Sequence, residues 1–421
     1  MSGFKKYYQK TWNERLQVLE EKHLLNVNEI TYLRELVSAN SLGDTVIENF
    51  ITEYSLPEGL GLNYLIDGQE YVIPMVTEEP SVVAASCHGA KIIKAAGGFK
   101  TKLVERLMIG QVLLENVVEA EKLIAKLEDY TAQMLKVAND AHPSILKRGG
   151  GARWIRLRIL DHDLISVDLA VDVKQAMGAN MLNTMLEAVA NFIQRKFNQD
   201  ILMSILSNYA TSCLATAQCE IPVDKLAKGN ISGLQVAKKI AQASRVAQLD
   251  VYRAATHNKG IMNGVDAVVL ASGNDWRAIE AGIHAYAARD GQYRGLSNWK
   301  VEADKLIGEM TLPLPLGFVG GSIGIVPLVK INHKLLQINN AEHLERIVVC
   351  VGLAQNLAAL NALVTEGIQK GHMHLQMKSL AVTVGAKLTE INMLVNLLEK
   401  DKVRDSANAK KLLEQLRKKE N

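Results

Sequence analysis

Four short polar clusters in apolar or tightly turned stretches of this sequence carry side chains that chemistry uses. They are Glu78-Glu79 before a Pro-Ser pair, RAATHNKGIMNG at residues 253–264, the triplet GND ending at Asp275, and GHMHLQMK at residues 371–378. Carboxylates, a lysine and histidines serve in acid–base catalysis and in stabilising an oxyanion. Each alone is more often a satisfied surface or structural group. The four clusters therefore need a joint explanation.

A fifth pattern is GGGARWIRLR from residue 149, a glycine turn that enters a strand. Side chains alternate between the two faces of a strand, so Arg153 cannot share a face with Arg156 and Arg158. The three arginines and Trp154 form either a solvated sheet face or a cationic, aromatic-edged nucleotide site. The residues themselves leave both interpretations open.

Common catalytic templates are absent from the sequence, which has no P-loop, GxSxG elbow, HExxH helix or Rossmann GxGxxG. Its four cysteines show no CxxC spacing, so we expect neither a metal site nor a disulfide framework. The net charge of +3 is too small for the field that nucleic-acid binding uses. These features indicate a cytoplasmic protein without metal or nucleic acid.

Membrane association is not expected either. The charged N-terminus has no apolar stretch behind it and does not resemble a secretory signal. The most apolar segment, residues 347–364, contains Gln355, Asn356 and Asn361, which a bilayer would penalise more than a packed core. This segment predicts a buried helix.

The elements that position the clusters follow from periodicity. Residues 11–55 are helical in pattern, and the glycine-rich stretch after them turns toward strands. From residue 107 the pattern predicts strand MIGQVLL, a helix over 118–139, strands ARWIRLRIL and LISVDLAV, a helix over 180–197 and strand DILMSILS. This β-α-β-β-α-β order is typical of a ferredoxin-like unit inserted into a larger domain.

Predicted helices over 233–249 and 275–289 then alternate with short predicted strands, VDAVVLAS and GFVGGSIGIV. Two amphipathic helices, 388–399 and 406–418, follow near the C-terminus. The predicted fold class is α+β: a large, mostly helical domain formed by residues 1–106 and 216–377, a small ferredoxin-like domain at 107–215, and a C-terminal helical flap at 378–421.

The clusters also occur within longer motifs, in one fixed order. These are IPMVTEEPSVVAAS (residues 73–86), AMGANMLNTMLEA, ILSN, RAATHNKGIMNG, SGND, GLAQN and EGIQKGHM. The series resembles the bacterial, soluble class II 3-hydroxy-3-methylglutaryl-coenzyme A (HMG-CoA) reductases. The resemblance implies an oxidoreductase of the mevalonate pathway of isoprenoid synthesis that reduces (S)-HMG-CoA to mevalonate and coenzyme A with two NAD(P)H.

The resemblance also implies an architecture and an assembly. The large domain would bind substrate, the small domain would bind the cofactor, and the flap would be mobile. The enzyme would be an obligate homodimer whose active sites lie between subunits, with Glu79 and the cofactor domain from different chains. Whether dimers assemble further is left open.

Residue roles are implied by the matching positions. Lys259 would stabilise the oxyanion, Asp275 would hold Lys259 charged and oriented, His372 would protonate the departing thiolate, and Glu79 would protonate the alkoxide. Arg253 would clamp the substrate carboxylate, with Ser81, Asn263 and Gln355 as hydrogen-bonding partners. The implied cofactor residues are Arg153, Trp154, Met177, Gly178, Asn180 and Asn208.

Three positions depart from the family pattern. Gln175 stands where relatives commonly have the aspartate of DAMG, which puts the cofactor contacts there in doubt. Trp154 replaces an aspartate that accepts the ribose hydroxyls in some NADH-using relatives, and Arg153 lies beside it, which favours the 2′-phosphate of NADPH over NADH. Ser322 replaces a residue of the usual GGGT, with no evident consequence.

Two alternative functions remain at this stage. A non-catalytic acyl-CoA or nucleotide sensor could retain the fold, and Gln175 is its one supporting feature. The same enzyme could also run oxidatively in mevalonate catabolism, because the same transition states serve both directions. A preference for NADH would favour the catabolic direction.

Overall fold

The computed structural model describes residues 4–38, 41–367, 377–401, 403 and 405–420. Two compact units divide the chain, Met1–Pro57 and Glu58–Asn421. The helices of the first unit are α1 (Trp12–Glu21), α2 (Val27–Glu35) and α3 (Gly43–Val46). Thr11 and Glu14 form a capping box at the start of α1, and Asn26 and Glu29 form one at α2. These reciprocal hydrogen bonds satisfy backbone amides that the first turn leaves without partners.

The second unit mixes strands and helices. Its strands are β1 (Glu58–Ile66), β2 (Gln69–Val76), β3 (Lys100–Glu115), β4 (Gly151–Asp161), β5 (Leu164–Asp172), β6 (Asp200–Leu206), β7 (Cys213–Pro222), β8 (Ser297–Glu302) and β9 (Lys305–Pro313). Its helices are α4 (Val82–Ala95), α5 (Ala120–Glu128), α6 (Thr131–Ala141), α7 (Pro143–Leu146), α8 (Ala179–Phe197), α9 (Gly233–Leu249), α10 (Val251–Ala271), α11 (Trp276–Ala287), α12 (Pro327–Leu335), α13 (Ala341–Val364), α14 (Leu388–Lys400) and α15 (Ser406–Glu420). The α+β fold class is confirmed.

One long strand joins the two parts of the main sheet. The sheet has the order β4-β5-β3-β7-β9-β8, and β6 also pairs with β3. The first residues of β3, Lys100 to Leu103, pair with β7, whereas its residues from Leu107 onward pair with β5. The register shifts between Leu103 and Arg106, where β3 passes from one part to the other. The part built from β6, β3, β5 and β4 has the β-α-β-β-α-β order that the sequence predicts.

The limits of the small domain, 107 and 215, stay a prediction, because β3 and β7 run through both limits without a break. A separate core nevertheless lies under this part of the sheet. Helices α6 and α8 pack on it through buried residues that include Met134, Leu186 and Val189, against Val112 and Val167 of the strands.

Helix α13 is the centre of the larger core. It packs against α4, α9 and α10 and is buried along most of its length. Its length and composition would allow it to cross a membrane, but 78% of its most apolar window is buried inside the protein. The predicted buried helix over 347–364 is therefore confirmed.

Three element predictions are wrong. The segment VDAVVLAS belongs to α10, because a 21-residue helix buried on several faces overrides the strand preference of its β-branched residues. GFVGGSIGIV is not a strand but a loop with a 3-10 turn, Gly321–Gly324, consistent with the left-handed φ angles of Gly320 and Gly321. The helix predicted over 118–139 is two helices, α5 and α6.

Candidate active site

One cavity, which we call the Glu79 cavity, is lined by the start of α4, by α10 and by the second half of α13, and it measures about 410 Å³. Six residues predicted from the sequence line it: Glu79, Ser81, Arg253, Lys259, Asn263 and Gln355. Much of the remaining lining consists of alanines of α4 and α13. The cavity thus collects polar groups from three helices over an apolar wall.

A carboxylate and an ammonium group face each other in this cavity. Lys259 Nζ donates a hydrogen bond to Glu79 Oε2 over 2.7 Å, and Asn263 Nδ2 donates to the same oxygen over 3.4 Å. Ser81 Oγ donates to Glu79 Oε1 over 3.4 Å. The Glu79 side chain is 33% exposed and that of Lys259 is 64% exposed. A small molecule in the cavity can therefore reach the ion pair.

Helical spacing and one glycine explain the convergence. Asp250 caps α10 through the amide of Arg253, and Lys259 and Asn263 lie one turn apart on that helix. A Cβ at Gly89 would lie 2.0 Å from the carbonyl oxygen of Ala354, so only glycine lets α4 approach α13 this closely. Burial lowers the pKa of Arg253 from its ordinary value.

Another cavity, which we call the Gly178 cavity, measures about 570 Å³. It is lined by the AMGAN stretch, the GND turn and the glycine loop after β9. Three predicted cofactor residues, Met177, Gly178 and Asn180, line it together with Asp275. Asn274 anchors the glycine loop, since its side chain exchanges hydrogen bonds with the backbone of Gly317 in both directions.

Two helices begin at the Gly178 cavity. Gly178 precedes α8 with a φ of 86°, and a Cβ there would lie 2.4 Å from Val173, so both backbone and space require glycine. No side chain caps α8, whereas Asp275 caps α11 by accepting from the amides of Arg277 and Ala278 at 3.1 Å. An uncapped helix N-terminus favours anions through its amides and its dipole.

The arginines of β4 lie outside both cavities and pair with carboxylates of β5. Arg153 donates to Asp172 over 2.8 Å, while Arg156 and Arg158 both donate to Asp168. Burial alone would raise the pKa of Asp168, but hydrogen bonds from Arg158, Ser166 and Arg156 outweigh it and lower the pKa to about 2.

Trp154 completes this surface. The Arg156 guanidinium lies 5.7 Å from the centre of the Trp154 ring, and the Arg156 side chain is 53% exposed. The surface therefore combines an aromatic face with a cation that solvent or a ligand can reach.

Comparison with known proteins identifies the family. The sequence profile of hydroxymethylglutaryl-coenzyme A reductase matches residues 11–377. The chain belongs to this family. Among curated HMG-CoA reductases, that of Archaeoglobus fulgidus is 40% identical over 98% of this chain and 94% of its own length. A probable HMG-CoA reductase of Borreliella burgdorferi is 36% identical over 85% of this chain and 81% of its own length.

Solved structures agree with this assignment. An HMG-CoA reductase from Streptococcus pneumoniae superposes with a TM-score of 0.77 and is 47% identical, covering 98% of this chain and 99% of that chain. The class II enzyme of the same organism, bound to NADPH in open conformations, gives a TM-score of 0.76 at 48% identity, with 97% and 100% coverage. The chain is thus an HMG-CoA reductase, an oxidoreductase of the mevalonate pathway.

The structure places the predicted reductase residues in three groups. Substrate candidates and the Glu79–Lys259 pair share one cavity, while Asp275 and three cofactor candidates share the other. Arg153, Trp154 and Asn208 line neither cavity. His372, with His374 and Gln376, lies outside the described residues.

Two expectations bear on these contacts. Within one described chain Asp275 contacts the start of α11 and Arg277, and Glu79 is the carboxylate at Lys259, so the pairing of Asp275 with Lys259 stays a prediction. The Gln175 side chain does not line the Gly178 cavity either, because its Oε1 accepts from the amide of Ala341 over 2.7 Å at the start of α13. The residue that differs from the family pattern, Gln175, therefore forms a hydrogen bond to the start of α13. It gives no support to a sensor.

Two histidines of the Glu79 cavity were not singled out from the sequence. His88 lies on α4 and His257 on α10, and both line the cavity. His257 is one helical turn from Arg253, and that spacing could have identified it. His88 is seven residues beyond Ser81, so the same α4 face carries both.

Proposed function

We propose that this HMG-CoA reductase reduces the thioester of (S)-HMG-CoA at the Glu79–Lys259 pair, using two NADPH. The balanced reaction converts HMG-CoA, two NADPH and two protons into mevalonate, coenzyme A and two NADP⁺. The 2.7 Å contact between Lys259 Nζ and Glu79 carries the proposal. It fixes an ammonium group, held by a carboxylate, in a cavity that also contains Arg253.

Lys259 has a defined task in the first reduction. The thioester carbonyl gains negative charge on its oxygen as the carbon is reduced, and the ammonium donates a hydrogen bond to that oxygen. A positioned cation lowers the barrier because it needs no reorganisation when the charge develops. Glu79 orients the ammonium, and Asn263 steadies Glu79.

Two proton transfers complete the chemistry. When the hemithioacetal collapses, the carbon–sulfur bond breaks and the sulfur leaves better if an acid protonates it. We assign this task to His372 from the family motif. The aldehyde that remains is reduced in the second round. Its alkoxide takes a proton from Glu79, which must first take up that proton from solvent, because it faces Lys259 as a carboxylate.

Arg253 is the proposed anchor for the free carboxylate of the substrate. A guanidinium can hold both carboxylate oxygens, which fixes the distance from the carboxylate to the thioester. Ser81, Asn263 and Gln355 line the same cavity and supply hydroxyl and amide groups to the rest of the acyl chain.

The Gly178 cavity suits NADPH. A Cβ at Gly320 or Gly321 would meet no atom within 4 Å, so the glycine loop leaves open space beside the uncapped start of α8. We place the pyrophosphate at that helix N-terminus, close to Met177, Gly178 and Asn180. When bound, the dihydronicotinamide supplies the hydride in each round. Asn208, an exposed residue near α11, stays a weaker candidate for the same ligand.

The proposed 2′-phosphate site lies on β4. Arg153 and Trp154 are the candidates from the sequence, and the structure adds Arg156 because its exposed guanidinium lies beside the Trp154 ring. Asp172 and the carbonyl of Gly149 already hold the Arg153 guanidinium. Arg156 is also paired, with Asp168, but its side chain is more exposed, 53% against 43% for Arg153, and it lies beside the Trp154 ring on which an adenine would stack.

The proposed enzyme is an obligate homodimer in the cytoplasm. The two cavities share no lining residue, and Lys259 and Asp275 line different ones. A centre that uses both would combine the Glu79 cavity of one subunit with the Gly178 cavity of its partner. The burial of α13 supports a protein that is not anchored through this helix.

Cofactor consumption tests the proposal. Purified protein is mixed with a limiting amount of HMG-CoA and excess NADPH, and the loss of reduced-cofactor absorbance is compared with the free thiol released. Two NADPH oxidised per thiol, with mevalonate as product, is the expected result. A ratio of one, or no oxidation by folded protein, would overturn it. Repeating the assay with NADH gives the cofactor preference, for which we expect NADPH.

A further inference from the structure

A buried histidine at the Glu79 cavity has a nitrogen without a partner. Only 2% of His257 is exposed, and the residue lines the cavity on α10. Its Nδ1 is buried and has no hydrogen-bond partner among the described residues. A second buried polar atom of the same cavity, Gln355 Oε1, also lacks one. Buried polar groups are seldom left unpaired in folded proteins, so such a pair in one cavity points to a ligand.

The other side of the ring determines where its proton lies. Trp299 Nε1 can only donate, and it donates to Asn356 Oδ1 over 2.8 Å, which fixes the orientation of that amide. The Asn356 amide nitrogen then donates to His257 Nε2 over 3.1 Å. Nε2 is therefore an acceptor without a proton. Ser297 Oγ lies 2.7 Å from Nε2 and 2.8 Å from Asn356 Oδ1, and its single proton is donated to one of these two acceptors.

A neutral imidazole with an unprotonated Nε2 carries its hydrogen on Nδ1. Burial, and then the charge of Arg253, lower the pKa of His257 to about 3, so the ring is neutral near pH 7. The atom without a partner is consequently an N–H donor. It sits one helical turn from Arg253, the proposed carboxylate anchor.

We propose that His257 is a substrate-binding residue whose Nδ1–H donates a hydrogen bond to the free carboxylate of the hydroxymethylglutaryl group. This inference rests on the proposed function. Arg253 supplies the positive charge, and the neutral imidazole supplies a second donor without adding another charge. A carboxylate accepts from both because its two oxygens offer about four lone-pair positions.

Two substitutions test the two ring nitrogens of His257 separately. In His257→Asn the amide nitrogen lies close to the Nδ1 position, so the donor toward the cavity is kept and the contact with Asn356 is lost. In His257→Gln the amide reaches the Nε2 position, so the Asn356 side is kept and the cavity donor is lost. If the histidine were only structural, His257→Gln would weaken HMG-CoA binding less than His257→Asn.

The test is the dissociation constant of HMG-CoA without cofactor, measured by calorimetry on the dimeric protein as purified. We expect His257→Gln to bind at least tenfold more weakly and His257→Asn to stay within about threefold of wild type, as for a hydrogen bond to a charged group. Equal affinity of wild type and His257→Gln would overturn the inference. Failure of wild type to bind HMG-CoA would instead contradict the proposed function.

A second probe removes the acceptor. 3-Hydroxy-3-methylbutyryl-CoA lacks the terminal carboxylate, so His257→Gln should lose no further affinity for it relative to wild type. An equal loss for both ligands would contradict the carboxylate assignment. Should both variants misfold, ¹⁵N-histidine spectra of the wild-type protein provide the test. A ring protonated at Nε2 would contradict the inference. An Nδ1–H signal that shifts when HMG-CoA is added would support it.

Discussion

At the scale of single residues, chemistry depends on which groups the fold holds together. The resemblance assigned Lys259 to the oxyanion and Asp275 as its partner; within the described chain Glu79 contacts Lys259, and the pairing with Asp275 stays a prediction. A motif identifies a role, but it cannot tell which carboxylate of which subunit lies in contact. That information resides in helix packing, which the spacing of one motif does not encode.

Lys259 should be essential for turnover. Replacing it with alanine removes the cation at the oxyanion, and loss of one positioned donor lowers kcat by about 10²–10³-fold. The lysine is mostly exposed, so the free energy of unfolding should change little. Steady-state kinetics together with a urea titration measure both quantities.

A matched control keeps the charge at this position. Lys259→Arg retains a cation with different geometry and should retain more activity than Lys259→Ala. If Lys259→Ala kept turnover within a few-fold of wild type, the oxyanion assignment would be wrong.

Arg156 should set the preference for NADPH. In Arg156→Ala the cation beside Trp154 is lost, and we expect kcat/KM for NADPH to fall about tenfold relative to that for NADH. Arg158→Ala is the matched control, because Arg158 also pairs with Asp168 but does not stack on Trp154. If the ratio of kcat/KM for NADPH to kcat/KM for NADH were the same in both variants, the Trp154 surface would not bind the 2′-phosphate.

At the scale of elements, patterning predicted most of the architecture. The alternation of ARWIRLRIL and LISVDLAV gave β4 and β5, and the β-α-β-β-α-β order followed. The strand predicted at VDAVVLAS was wrong, because a run of β-branched residues is compatible with either a buried strand or a buried helix. Its neighbours on α10 decided the outcome, since capping by Asp250 and packing on α13 continue the helix through it.

The pairing of β4 with β5 should make stability depend on pH. The pKa of Asp168 is lowered to about 2, so its contribution to stability is present above pH 4 and is lost as the pH falls through 2. The shift from 3.8 corresponds to about 2 kcal/mol.

Chemical denaturation between pH 5 and pH 2 measures this effect. Wild type should lose about 2 kcal/mol more unfolding free energy over that range than Asp168→Asn, which cannot titrate there. Parallel losses in the two proteins would mean that Asp168 and its arginines do not stabilise the sheet.

At the scale of the whole molecule, the account requires two chains. Each chain carries the Glu79 cavity, lined by Lys259, and the separate Gly178 cavity, lined by Asp275, which we propose bind substrate and cofactor. Sequence could not reveal this separation, because residues 259 and 275 are close along the chain, one within α10 and the other at the start of α11. The fold places their side chains in different cavities, so the proposed centre is completed by a partner.

Mixed dimers test this claim most directly. Lys259→Ala and Asp275→Ala proteins are each purified, confirmed as nearly inactive, then unfolded and refolded together in equal amounts. In a random mixture half of the dimers are heterodimers, and each has one centre carrying both defects and one carrying neither. The predicted activity is therefore roughly one quarter of wild type, from one intact centre in half of the dimers. A mixture no more active than its components, although heterodimers have formed, would show that Lys259 and Asp275 act from the same chain and would contradict the shared centre.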